Sequence, residues 1–149
     1  MRNLNLYIML KAFSDAVIKI AKKHKNLVLL NTDFSRDVPL MDQISLAFDD
    51  RCFNFGLQEN NMVTAACGFA VRGKVPFCFG APDLAVKAFP VISGMVCKNN
   101  LNVKIFGVED CPKCKNLTVI EPKTYDEALE AVQKAFDEFG PFYIKLSVL

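Results

Sequence analysis

Leu10, Phe13, Val17, Ile20 and Ala21 recur every three or four positions, which predicts an amphipathic helix over residues 10–24. Asn26 breaks that period. The next five residues, Leu27–Asn31 (LVLLN), form a short apolar run of the kind that predicts a strand covered on both faces. A weaker helical pattern occupies Pro39–Phe48, and a second apolar run, CFNF at 52–55, stops at Gly56. Residues 59–72 (ENNMVTAACGFAVR) are apolar nearly all round and rich in small side chains, which predicts a buried helix that approaches its neighbours closely and is stopped by Gly73. VPFCF at Val75–Phe79 reads as a strand. A helix opened by Pro82 follows, with Pro90 inside the pattern and expected to kink or split it. Strands are expected at 102–107 and 117–120. The last helix is marked by Thr124 with Glu127 three residues on, a capping box, and by an apolar face of Ala128, Leu129, Val132, Ala135, Phe136 and Phe139. Gly140-Pro141 ends it, and FYIKL at 142–146 closes the chain's pattern as a strand.

Strands alternating with helices along the whole length predict a three-layer α/β/α sandwich around a mainly parallel sheet, with residues 1–149 as a single domain. Apolar residues make up 52% and charged residues 23%, so the apolar surplus either fills the core of a covered sheet or leaves a face for a partner. A net charge of +2 with dispersed basic residues argues against a nucleic-acid partner; Lys22, Lys23 and Lys25 close a helix, where cations meet the negative end of its dipole. No leader or membrane-spanning run is read, so the expectation is a cytoplasmic protein with no membrane partner. Four of the six cysteines, Cys52, Cys67, Cys78 and Cys97, lie in apolar segments and are expected to act as small reduced hydrophobes.

In open parallel sheets, ligands bind beyond the carboxyl ends of the strands. Glu59 lies at such an end, after Gly56-Leu57-Gln58 and at the start of the small-residue helix. By position alone it is a carboxylate favoured by the helix dipole. Asp33 follows the first strand, where with Ser35 it also reads as a turn residue. The segment 51–74, RCFNFGLQENNMVTAACGFAVRGK, resembles the pyrimidine-binding domain of the transketolase family. There a strand ending in glycine leads into Glu-Gln-Asn-Met and an Ala/Gly-rich helix closed by Arg-Gly or Ala-Gly. Gly56, Glu59, Asn61, Met62, Ala65, Ala66, Gly68, Gly73 and Lys74 fall in register, and NLNVKI, NLTVIEP and GPFYIKL continue the likeness over nearly the whole chain. The resemblance implies the thiamine diphosphate-binding fold of the pyrimidine-domain type. It also implies that Glu59 hydrogen-bonds N1′ of the cofactor's aminopyrimidine, favouring the tautomer that takes the proton from thiazolium C2. Asp33 would lie close to the cofactor and Phe79 near its ring, although Phe79 reads equally as a core residue.

The chain departs from the family pattern in four ways. It has no Gly-Asp-Gly with a later Asn, the set that holds diphosphate and Mg²⁺ in this family, so a second domain or subunit would have to supply it. After 102–107 the family's long loop with its histidines is replaced by Val108-Glu109-Asp110 and Cys111-Pro112-Lys113-Cys114, and His24 is the one histidine in the sequence. The aromatic positions after Val75–Phe79 become Gly80, Pro82, Asp83 and Leu84, and the family's acidic-Gln-Ile-Arg run becomes Pro90-Val91-Ile92-Ser93. Cys111 and Cys114 read as spare thiols in a shortened turn, with zinc or redox roles as alternatives. Two functions compete. One is the pyrimidine-binding subunit of a split enzyme acting on two-carbon ketol units, a transferase that is inactive without its diphosphate-domain partner. The other is a non-catalytic relative serving as a binding or assembly module. Either is expected to form homo-oligomers, as dimers in the first instance, and the chain itself offers no metal site.

Overall fold

The computed structural model of the chain describes residues 2–33 and 39–146; Ser35 lies outside them. Among the described residues six strands, β1 (Leu27–Asn31), β2 (Cys52–Asn54), β3 (Val75–Phe79), β4 (Lys104–Gly107), β5 (Thr118–Ile120) and β6 (Phe142–Lys145), form one sheet in the order β2-β1-β3-β4-β6-β5. Every neighbouring pair is parallel. The helices are α1 (Arg2–Lys23), α2 (Pro39–Phe48), α3 (Glu59–Val71), α4 (Leu84–Lys87), α5 (Phe89–Val91) and α6 (Tyr125–Asp137), with a π-helical turn at Ile92–Cys97.

The layers follow from strand alternation. Leu27, Leu29, Phe77, Phe79, Phe106, Phe142 and Ile144 point to one face and pack with α1, α2 and α6. Val28, Leu30, Cys78, Ile105 and Tyr143 point to the other and pack with α3, α4 and the π turn. The first face is zipped by aromatic contacts: Phe13 stacks on Phe79 at 5.5 Å and 26°, and Phe106 lies 4.8 Å from both Phe13 and Phe77. Each such ring, fully buried, contributes about 1.5–3 kcal/mol of transfer free energy. The fold is therefore the expected three-layer α/β/α sandwich, with a sheet that is wholly parallel.

Several boundaries differ from expectation for local reasons. Helix α1 begins eight residues before the expected start, at Arg2, because its first turns carry Leu4, Tyr7 and Ile8 on an exposed side that adds no amphipathic signal. Pro90 splits the expected helix into α4, α5 and the π turn. Thr124 caps α6 by accepting from the Glu127 N–H at 3.1 Å, but the Glu127 carboxylate accepts from the Lys123 N–H at 2.7 Å rather than closing the box on Thr124. Phe139 lies beyond α6 and is 74% exposed, so it is no part of that helix's buried face. Gly73 ends α3 at φ +82° and Gly140 precedes β6 at φ +111°, conformations that disfavour a side chain.

Candidate functional site

The carboxyl ends of β1, β2 and β3 make one corner of the sheet. Beyond the strands, the Phe55 N–H donates to the Asn31 carbonyl at 2.8 Å and the Asp33 N–H donates to the Gly56 carbonyl at 2.7 Å, so pairing continues into the loops. Gly56 sits at φ +64°, its N–H bonded to Asn54 Oδ1 at 2.7 Å. This turn delivers Glu59 as the first residue of α3. Asp33 and the turn leading to Glu59 are thus brought together by a backbone hydrogen bond.

Glu59 is buried, with 8% of its surface exposed. Among the described residues no side chain donates to its carboxylate and no lysine or arginine pairs with it. Gln58, which precedes it, makes no side-chain cap, so the free N–H groups of the first turn and the helix dipole are what favour a negative charge here. The floor of the corner comes from residues that carry no signal of chemistry in the sequence. A Cβ on Gly80 would lie 3.0 Å from Thr32 Oγ1 and 3.5 Å from Met62 Cε, so a glycine at the end of β3 is what lets β1, β3 and α3 converge. Asn31 Oδ1 is also buried and receives no hydrogen bond from the described residues. A small residue directly after an apolar strand is the signal that marks Gly80 in the sequence.

Phe79 lies on the opposite face. It is 1% exposed and stacked on Phe13, so its ring packs the underside of β3 in the α1 layer and no ring face is open. His24 sits before β1, at the amino edge of the sheet, with its ring 4.9 Å from that of Phe136; it is at the wrong end of the strands to reach this corner.

One strand further along, the loop after β4 is drawn in tightly. Lys145 Nζ donates to Asp110 Oδ1 at 2.8 Å and lies 3.4 Å from Glu121 Oε1, contacts that raise its pKa, the Asp110 bond foremost. The Tyr143 hydroxyl donates to the Glu109 carbonyl, and burial pushes its pKa up. Gly107 is required beside it, because a Cβ there would run into the Tyr143 hydroxyl. The expectation of reduced cysteines throughout is corrected at one pair: Cys97, at the end of the π turn, is bonded to Cys114. The two lie 17 positions apart and the topology brings their Cα atoms to 6.5 Å, within the span a disulfide bridges. Cys111 stays a free, half-buried thiol. Among the described residues no group of three or more His, Cys, Asp or Glu side chains is placed to hold a metal ion. No helix among them is long and apolar enough to cross a membrane.

A buried carboxyl group at the start of α3, with no side-chain partner among the described residues, can share one proton with a ring nitrogen brought to it.

Comparison with known proteins bears on this geometry. The family described as Transketolase, pyrimidine binding domain matches residues 7–112. A protein of Methanocaldococcus jannaschii assigned as a transketolase C-terminal section is 28% identical over 158 residues, covering 93% of this chain and 50% of its own. One of the subunits of an apulose-4-phosphate transketolase from Actinobacillus succinogenes is 31% identical over 119 residues, covering 66% of this chain and 38% of its own. Among solved structures, one titled "Split gene transketolase, inactive beta4 tetramer" superposes with a TM-score of 0.83 at 26% identity, covering 95% of this chain and 52% of that one. The chain thus spans about half, or less, of the length of these relatives.

Proposed function

Because the chain belongs to the transketolase pyrimidine-binding domain family, we propose that it is the pyrimidine-binding subunit of a split transketolase-type enzyme, with residues 1–149 as one such domain. A second chain holds the diphosphate of thiamine diphosphate and its Mg²⁺. Glu59 carries the reading: a carboxylate 8% exposed, without a partner among the described residues, at the carboxyl edge of a parallel sheet. It fits the pyrimidine end of the cofactor, whose N1′ would complete its hydrogen bonding. Asp33 and Thr32 at the end of β1 and Gly80 at the end of β3 border the same corner, and Phe79 supports it from below. When bound, thiamine diphosphate supplies the nucleophilic carbon for handling two-carbon ketol units. The role of this chain is to orient the ring and to hold or release a proton at N1′ through Glu59. The remaining binding energy comes from the partner, so the chain alone, cytoplasmic in this reading, is without turnover and associates with itself. The inactive beta4 tetramer formed by the split-gene relative supports that expectation.

A second reading, a non-catalytic assembly module, is favoured by the drawn-in loop after β4 and by a histidine parked on Phe136. One experiment separates the two. The chain is mixed with a subunit carrying Gly-Asp-Gly, thiamine diphosphate and Mg²⁺, and C2 proton exchange is followed by NMR. Acceleration that Glu59→Gln removes, with the circular dichroism of the variant unchanged, supports the split enzyme. Cofactor binding with identical exchange in wild type and variant sinks the role of Glu59, and no binding at all leaves the assembly module.

A further inference from the structure

The loop between β4 and β5 is held at three separate places. At its front, Lys145 and Tyr143 bind Asp110 and the Glu109 carbonyl. At its back, Asn116 Nδ2 donates to the Cys97 carbonyl at 2.9 Å. Between them, residues 111–115 are fastened to the π turn by the Cys97–Cys114 bond. The π turn packs in turn among the α3-side core residues, and β4 lies next to β3, whose end carries Gly80, so this strap stands one strand from the candidate site.

The two sulfurs differ in access. Cys97 is 1% exposed, whereas Cys114 is half-buried on a loop whose neighbours Pro112, Lys113, Lys115 and Asn116 are all exposed. Cys111, three residues before Cys114, packs against the same core cluster as a free thiol, and burial pushes its pKa up to about 11, so it rests protonated.

We propose that Cys97–Cys114 is a reversible thiol–disulfide switch that fastens residues 111–115 and is opened by a small or protein dithiol. One thiolate of the dithiol attacks Cys114 Sγ, the accessible sulfur, and expels Cys97 as a thiolate, which takes up a proton. The second thiol of the reductant then closes its own disulfide and releases Cys114, which is also protonated. The chain gains two electrons and two protons, and the dithiol loses both. The front and back hydrogen bonds remain, so the change is a local release of the loop rather than unfolding.

The test uses the full chain without denaturant. In the oxidised protein, peptide mapping after alkylation should find the peptide ending at Lys98 linked to one carrying Cys114, with Cys111 unlinked. Dithiothreitol should free both cysteines while circular dichroism stays unchanged. The melting temperature should drop by roughly 5–10 °C, and tryptic cleavage at Lys113 and Lys115 should quicken by about tenfold or more. Cys114→Ser should behave as the reduced protein under both conditions, and Cys111→Ser should respond like wild type. The proposal is overturned if Cys97 and Cys114 alkylate without reductant, if Cys111 is found in the bond, or if the bond yields only after unfolding. An unchanged tryptic rate on reduction overturns it as well. The peptide map decides on wild type alone should Cys114→Ser fail to fold.

Discussion

Two buried charges sit at opposite ends of the sheet and are treated in opposite ways. At the amino end, Lys104 is fully buried on the first residue of β4, yet its ammonium donates to the carbonyls of Glu138 and Gly140 at 2.6 Å each and lies 4.4 Å from the Phe142 ring. One carbonyl belongs to the residue that caps α6 and the other to the turn before β6, so the lysine fastens the end of that helix to the start of the strand. At the carboxyl end, Glu59 is buried with no partner among the described residues. A buried polar group that the fold satisfies is part of the fold. One without a protein partner is, on the function proposed above, open to a ligand.

The largest effect expected from testing this contrast is at the lysine. Lys104→Ala removes both donors, leaves two carbonyls unpaired and opens a void, at a cost of about 3–5 kcal/mol in urea unfolding. A loss under about 1 kcal/mol would mean that Lys104 is not holding the end of α6. A second effect follows from its titration. Burial pushes the Lys104 pKa down to about 7, opposed by the nearby Glu138 carboxylate. Between that value and the ordinary lysine range the unfolded chain binds more protons than the folded one, so stability should rise with pH from about 7 to 10. The slope from this group is at most about 1.4 kcal/mol per pH unit. The rise should be missing from Lys104→Met, whose unfolding free energy relative to wild type is therefore best compared at pH 7 and pH 9.

The contrast was only half legible in the amino-acid sequence. The layers and the buried helix at Glu59–Val71 follow from periodicity, because period 2 and period 3.6 are properties of neighbouring residues. Glu59 was legible because a family motif surrounds it. Lys104 was not: a lysine inside NVKIFG reads as the polar half of an alternation, and nothing local says that the chain 34 and 36 positions later returns two carbonyls to it. The Cys97–Cys114 bond was hidden for the same reason, since Cys97 has the burial of a core thiol and meets its partner only through the order of β3, β4 and β6. Phe79 misled in the other direction. Proximity to the corner in sequence suggested a ligand contact, but strand alternation turns the ring to the α1 face.

The remaining predictions concern the carboxyl corner, where stability effects should be small. Gly80→Ala forces Thr32 Oγ1 back from a 3.0 Å contact, so a cost of about 1 kcal/mol is expected by thermal unfolding, with a larger loss in binding any flat ligand seated there. Glu59→Gln should change stability least, by less than about 0.5 kcal/mol. The carboxylate gains about 0.3–1 kcal/mol from the α3 dipole, which a neutral amide of the same shape gives up, while the amide in turn avoids burying a charge, so the two changes oppose each other. Chemical denaturation of the variant beside wild type at pH 7 measures the balance. A fall of about 2 kcal/mol or more would show that the carboxylate is doing for α3 what Lys104 does for α6, and the distinction between a charge that builds the fold and a charge held ready for a ligand would be lost.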